Sequence, residues 1–109
     1  MTDQFDPSRI YQALVEAGNK WADTESAASL LEESRRSILA ELANQSGLPS
    51  VSASEQKALA DPVYKLHITN MVNARRDANR ARVAYDAQKI LGELRRTEQS
   101  NLRAEMGLK

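Results

Sequence analysis

Apolar residues in the first half of the chain recur alternately every four and three positions, which is the spacing of one face of an α-helix. Counted from Ile10, this spacing gives ten positions, and all except Thr24 and Arg35 are apolar: Ile10, Leu14, Ala17, Trp21, Thr24, Ala28, Leu31, Arg35, Ile38 and Leu42. Such a repeat is the contact line, here called the seam, of a coiled coil. Asp6 can cap the first free N–H groups and Pro7 suits the first helical position. We therefore predict a helix over about residues 7–44, with Gly18-Asn19 as the point where a break would give two shorter helices.

Turn-forming residues interrupt this pattern at residues 45–51, which we predict to be a loop. Gly47 can end the first helix, and the proline that follows prevents its continuation. Ser52 and Glu55 have the spacing of a capping box, in which each side chain bonds a free backbone N–H of the other. This spacing predicts a short helix over about residues 53–60.

A second long helical pattern runs over about residues 62–106 and can stop at Gly107. Asp61-Pro62 either starts this helix or kinks one that began earlier. The apolar positions include Tyr64, Ile68, Met71, Ala74, Ala78, Ala81, Tyr85, Ile90, Leu91, Leu94 and Leu102. The seam between Ala74 and Ala81 consists of alanine, and small residues there allow a partner helix to approach closely.

Two long helices of similar length joined by a short connection pack antiparallel in the simplest arrangement. We therefore predict an all-α fold with a single domain over residues 1–109. Its two long helices form an antiparallel coiled-coil-like hairpin, with a short helix in or after the connecting loop. Because a lone hairpin buries little apolar area, dimerisation into a four-helix bundle is a further expectation.

The chain has 15 basic and 15 acidic residues, but they are unevenly distributed. Residues 1–50 carry eight acidic and four basic side chains, whereas residues 51–109 carry seven acidic and eleven basic ones. In the second long helix, basic residues recur at every seventh position: Arg75, Arg82, Lys89, Arg96 and Arg103. We define a candidate face for nucleic acid or an acidic partner as Arg75, Arg76, Arg80, Arg82, Lys89, Arg95 and Arg96.

Three interpretations of this basic face remain open. In the simplest one the basic residues flank the seam and pair with acids of the first helix, such as Glu16, Asp23, Glu25, Glu32 and Glu33. In the second they track phosphates, because Arg is well suited to bidentate phosphate contacts, and in the third they form a patch for an acidic protein partner. Asp77, Asp86 and Glu93 interrupt the basic row, which weakens the phosphate interpretation.

Groups that could carry catalysis are sparse. His67 is the only histidine and there is no cysteine, so we predict a seam or surface histidine rather than a metal ligand. The sequence has no Gly-rich phosphate loop, nucleophile elbow or His-Glu-x-x-His motif. We therefore expect a protein that is not an enzyme and that holds no cofactor. Trp21 occupies a seam position, where it either fills the core or anchors a partner.

The chain has neither a signal-like start nor an apolar run of about 20 residues, so we expect a soluble cytoplasmic protein without a membrane partner. Residues Leu30–Ala40 (LLEESRRSILA) and Met71–Tyr85 (MVNARRDANRARVAY), continuing to Leu94–Glu98 (LRRTE), resemble small all-helical proteins encoded by tailed bacteriophages and prophages. This resemblance implies a phage-encoded protein in the cytoplasm of a bacterial host. It assigns a role to no individual residue.

These observations favour a non-enzymatic helical protein that acts through protein–protein interaction or assembly. Its partners would be further copies of itself, a phage protein or a host protein. The alternative is a nucleic-acid-binding accessory protein that uses the Arg-rich face of the second long helix. The two hypotheses differ in whether the guanidinium groups point toward first-helix carboxylates or form an open surface.

Overall fold

The structure, a computed structural model, describes residues 6–107. Over this range the chain forms three helices and no strand: α1 (Pro7–Gln45), α2 (Val51–Ala60) and α3 (Pro62–Gly107). The predicted all-α class is confirmed, as is the packing of two long helices against each other. α1 is continuous through Gly18-Asn19, so the break considered at that point does not occur.

Side chains and backbone groups at the helix ends explain where each helix starts. Asp6 Oδ1 accepts hydrogen bonds from the backbone N–H groups of Ser8 at 3.1 Å and Arg9 at 3.4 Å. Asp61 serves two helices. Its N–H donates to the Ala58 carbonyl at the end of α2, and its Oδ1 accepts from the Val63 N–H at 2.8 Å at the start of α3. Asp61-Pro62 therefore separates two helices rather than kinking one.

The predicted capping box at the start of α2 is wrong. The cap is Ser50, whose backbone is extended (φ −92°, ψ 132°) and whose side chain accepts a hydrogen bond from the Ala53 N–H at 3.3 Å. Ser52 lies inside the helix, which begins at Val51. A capping residue must have non-helical backbone angles, so the capping role moves two residues upstream.

The chain packs as two compact units, each built from parts of both long helices. Unit 1 comprises residues 1–22 and 79–109, of which 6–22 and 79–107 are described, and unit 2 comprises residues 23–78. In unit 2, His67 Nε2 lies 2.8 Å from the Leu31 carbonyl oxygen, and Arg35 donates to the Tyr64 hydroxyl at 3.4 Å. Later residues of α1 thus meet earlier residues of α3, so the helices run antiparallel in this unit.

Glycines mark the close approach of the helices in unit 1. A methyl group added at Gly18 would lie 3.3 Å from Tyr85 Cε1, and one added at Gly92 would lie 3.1 Å from Ile10 Cγ2. The earlier residue of α1, Ile10, meets the later residue of α3, Gly92, and Gly18 meets Tyr85. The two helices are therefore antiparallel in this unit too. No side chain larger than Ala has less than 2% of its surface exposed in residues 6–107, which makes the core thin.

The seam predicted for α1 agrees with the burial observed, because nine of its ten positions are buried or half-buried and Arg35 is exposed. The seam predicted for α3 is wrong beyond Tyr85, since Ile90, Leu91, Leu94 and Leu102 are exposed. The helix instead presents Gln88, Gly92, Arg95 and Gln99 to the inside, all of them buried or half-buried. The close contacts of Tyr85 with Gly18 and of Gly92 with Ile10 set this alignment, so side-chain size decides it rather than polarity.

Candidate interaction surfaces

Arg75, the first member of the basic row, binds two carboxylates of α1 within unit 2. Its Nε and Nη2 atoms donate to the two oxygens of Glu32 at 2.8 Å each, and Nη1 donates to Glu25 Oε1 at 2.7 Å. Glu25 and Glu32 are seven residues apart, so one guanidinium bridges two successive heptads. Hydrogen bonding from Arg75 is the largest cause that lowers the pKa of both carboxyls below the ordinary value of 4.5. The same bonds raise the pKa of Arg75.

The next three members of the row lie in unit 1 and differ from Arg75. Arg82, Lys89 and Arg96 are exposed, and each lies a multiple of seven residues after Arg75. We call these three residues the open row. Within residues 6–107, none of them forms an ion pair within 4.0 Å, although Asp86 and Glu93 lie four residues after Arg82 and Lys89. The pairing interpretation therefore holds at Arg75 and does not extend along the row.

The other members of the candidate basic face do not share the phase of this row. Arg76 donates to Asn73 Oδ1 at 2.8 Å, and Arg80 is exposed at a position about 200° around the helix from Arg82. Arg95 is half-buried at a seam position of α3. The seven residues predicted to form one face therefore divide into a row, two residues turned away from it, and one at the helix contact.

Trp21 and Tyr85 contact each other across the helices of unit 1. Their ring centroids are 5.4 Å apart with an angle of 38° between the planes, within the range of favourable aromatic pairs. Trp21 is half-buried, as expected for a residue that fills the seam. Its use as an anchor for a partner stays a prediction.

A second surface of unit 1 was missed by sequence reasoning. Four exposed apolar residues of α3 form a surface that we call the outer stripe: Val83, Ile90, Leu91 and Leu94. Val83, Ile90 and Leu94 each stand two positions from a seam residue, which is a rotation of about 200°, so they point away from α1. The sequence does contain a signal for it. Steps of seven residues from Ala78 and Ala81 lead to Gly92 and Arg95 as the seam positions, which leaves Ile90 and Leu94 outside the seam.

Two further features are a groove in unit 2 and the acidic and histidine side chains of residues 6–107. An open groove of about 470 Å³ in unit 2 is lined by residues of α1, the loop and α2, with Arg36 and Glu55 as its charged residues. The Ser54 hydroxyl in this groove donates to the Leu48 carbonyl at 3.1 Å. No three His, Asp or Glu side chains in residues 6–107 are arranged to hold a metal ion.

His67 is a buried seam residue of unit 2. Because a carbonyl oxygen only accepts hydrogen bonds, Nε2 carries the hydrogen in its 2.8 Å bond to the Leu31 carbonyl. This position agrees with the structural role predicted for the only histidine. Among the described helices, none has both the length and the apolar character needed to cross a membrane.

Comparison with known proteins adds no relative: no family model, curated protein or solved structure matches the chain.

Proposed function

We propose that this chain is a helical assembly protein that associates with a second copy of itself through the outer stripe of α3. The observation that carries this proposal is the exposure of the stripe, where Val83, Ile90 and Leu94 have 62%, 57% and 56% of their surface accessible. In the same helix the seam positions turned toward α1 include Gln88 and Arg95. An apolar face turned outward is typical of a protein–protein contact.

The stripe is also self-complementary in sequence. When two copies of α3 are aligned antiparallel, Val83 of one copy lies opposite Leu94 of the other, and Ala87 lies opposite Ile90. In each of these two pairs the larger residue meets a smaller one, and the same pairs form twice around a two-fold axis. A four-helix arrangement of two chains follows from this pairing.

Charges beside the stripe predict how the association depends on salt. Asp86 and Glu93 flank one edge of the stripe, and the antiparallel alignment brings Asp86 of one copy near Glu93 of the other. Because salt screens this repulsion, we expect the dimer to strengthen as salt rises from low to physiological concentration. Binding to nucleic acid would weaken over the same range.

The test is the mass in solution by sedimentation equilibrium, for the native chain and two double variants. We expect the native chain to have at least twice the mass of one chain, and Ile90→Gln with Leu94→Gln to return it to one chain. The control, Val63→Gln with Leu66→Gln, changes residues of unit 2 with similar exposures of 58% and 60% and is expected to keep the native mass. A native chain that is monomeric at about 100 µM, a concentration that populates any dimer with a micromolar dissociation constant, or a stripe variant that keeps the native mass, would overturn the proposal.

The resemblance to small phage and prophage proteins suggests where such an assembly would act. We infer that it works in the cytoplasm of a bacterial host, among copies of itself and phage or host proteins. Expression from a prophage locus during induction, followed by recovery of crosslinked dimers of the chain, tests this setting.

A further inference from the structure

The open row of unit 1 forms no ion pair with α1 among the described residues, although Arg75 in unit 2 binds two carboxylates of that helix. The reason lies in the sequence of α1. One heptad before Glu25 the chain has Gly18, and two heptads before it the chain has Tyr11. Acidic residues at that phase of α1 are therefore found at Glu25 and Glu32 but not at Gly18 or Tyr11, whereas basic residues at the matching phase of α3 continue to Arg103.

The packing of unit 1 agrees with the lack of acidic residues at this phase of α1. Tyr85 lies between Arg82 and Lys89 in the helical sequence and packs on Gly18 and Trp21. The α1 surface at this level is therefore glycine and aromatic ring. Tyr11, at the same phase as Gly18, is 69% exposed, and Val15, one turn further along α1, is 40% exposed. The open row thus borders an uncovered apolar strip of α1.

From these observations we propose that the open row and its apolar border dock an acidic amphipathic helix of a partner protein. We choose a helix as the partner because of the spacing of the cations in the row. Seven residues of helix span about 10.5 Å, and an α-helix with one carboxylate per heptad repeats at the same distance. Arg75 shows this pairing within the fold, because it holds two carboxylates that are one heptad apart.

The interleaved acids favour a helix over a polyphosphate. Asp86 and Glu93 lie four residues after Arg82 and Lys89, so every pair of cations on the row has a carboxylate nearby. A nucleic acid carries a negative charge at about every 3.4 Å of each strand and would meet these carboxylates wherever it lies. A helix can place acids against the row and neutral or basic residues beside Asp86 and Glu93.

This surface is distinct from the outer stripe, so its test does not depend on the self-association proposed above. Lys89 and Ile90 are adjacent in sequence and therefore point about 100° apart. The stripe variant with Ile90→Gln and Leu94→Gln retains the open row and serves as a second background for the binding experiment. Loss of the dimer together with retained peptide binding would refute neither proposal, whereas loss of peptide binding in that background would refute the separation of the two surfaces.

The experiment measures fluorescence anisotropy of a labelled synthetic helix of about 21 residues, the length of three heptads, with Glu at every seventh position and Leu at the adjacent contact positions. We expect it to bind the native chain, and the matched peptide with Gln in place of Glu to bind at least about tenfold more weakly. Replacing Arg82, Lys89 and Arg96 by Gln is expected to cause the same loss. The control replaces three exposed basic residues of unit 2 by Gln (Arg36, Lys57 and Lys65) and is expected to leave binding unchanged.

A labelled single-stranded oligonucleotide of about the same length, with one charge per nucleotide, provides the competing arm. Oligonucleotide binding that depends on the open row, without binding of the Glu peptide, would overturn the proposal in favour of a nucleic acid. Equal binding of the Glu and Gln peptides, equal losses in the two triple variants, or no binding of any probe would also overturn it.

Discussion

The close approach of α1 and α3 at Gly92 can be tested by adding volume there. A methyl group at this position would lie 3.1 Å from Ile10 Cγ2, a distance that requires Ile10 to shift by a few tenths of an ångström. Ile10 stands in the first turn of α1 and is half-buried, so a small shift is available to it. A leucine would place three further carbons in the same space, and a shift of that size would separate the helices.

Two effects set the magnitude. Replacing glycine by alanine or leucine within a helix stabilises it by about 0.8–1 kcal/mol, whereas overpacking a core position costs about 1–3 kcal/mol. For Gly92→Ala the first effect prevails, and we expect the free energy of unfolding to rise by about 0.5 kcal/mol. For Gly92→Leu the second effect prevails, and we expect a fall of about 1–2 kcal/mol. The two substitutions at one position therefore change stability in opposite directions.

Urea denaturation followed by far-UV circular dichroism, at one fixed chain concentration, measures these free energies. Gly107 is the control, since nothing lies within 4 Å of a methyl group added there, and alanine or leucine at that helix end should change stability by less than about 0.5 kcal/mol. Combining Gly92→Leu with Ile10→Ala should recover at least about 0.5 kcal/mol relative to the sum of the single changes. Strict additivity of the two changes would refute the contact.

Three further predictions follow from the helix ends, the Arg75 contacts and the thin core. Ser50→Ala should lower the free energy of unfolding by about 1 kcal/mol through loss of the cap, measured by urea denaturation, while Ser52→Ala leaves it unchanged or slightly higher; equal effects would contradict the assignment of the cap. Because the pKa values of Glu25 and Glu32 are lowered below 4.5 in the folded chain, stability should fall as the pH drops below that value, and this fall should be smaller in Arg75→Gln; unchanged pH profiles would count against the contacts. The melting temperature should rise with chain concentration if folding and self-association are coupled, and scanning calorimetry over a hundredfold concentration range would show no change for a monomer.

The seam of α1 was predictable because its apolar residues keep the heptad spacing from Ile10 to Leu42, and nine of the ten predicted positions are buried or half-buried. The seam of α3 was predictable only as far as Tyr85. After Tyr85 the apolar pattern points to Ile90 and Leu94, but the residue that contacts α1 is Gly92. Glycine has no side chain, so a hydrophobic pattern does not identify it. Steric fit between Gly92 and Ile10 determines the alignment, and a pattern of hydrophobicity alone does not contain that information.

The candidate sites were predictable to a similar degree. The seven-residue spacing of the basic row is visible in the sequence, and so are the acids of α1, but which cation meets which acid depends on how the helices are aligned. The structure pairs Arg75 with Glu25 and Glu32, and this alignment leaves Lys89 at the level of Gly18 and Tyr11. The pairing interpretation therefore applies to Arg75, whereas the three residues of the open row form no ion pair among the described residues.

The two surfaces proposed for unit 1 have a common physical origin. Small residues bring α1 and α3 close together there, and a close contact leaves room for few large apolar side chains between the helices. Large apolar residues of α3 are then placed on the outside, as Ile90 and Leu94 are, where they gain burial only when something else covers them. The same arrangement places Gly18 and Tyr11 at the level of Lys89, and among residues 6–107 neither Arg82 nor Lys89 forms an ion pair. Close contact between the helices therefore leaves apolar side chains and cations of unit 1 exposed on its surface. For this reason we expect the chain to act by associating with other proteins.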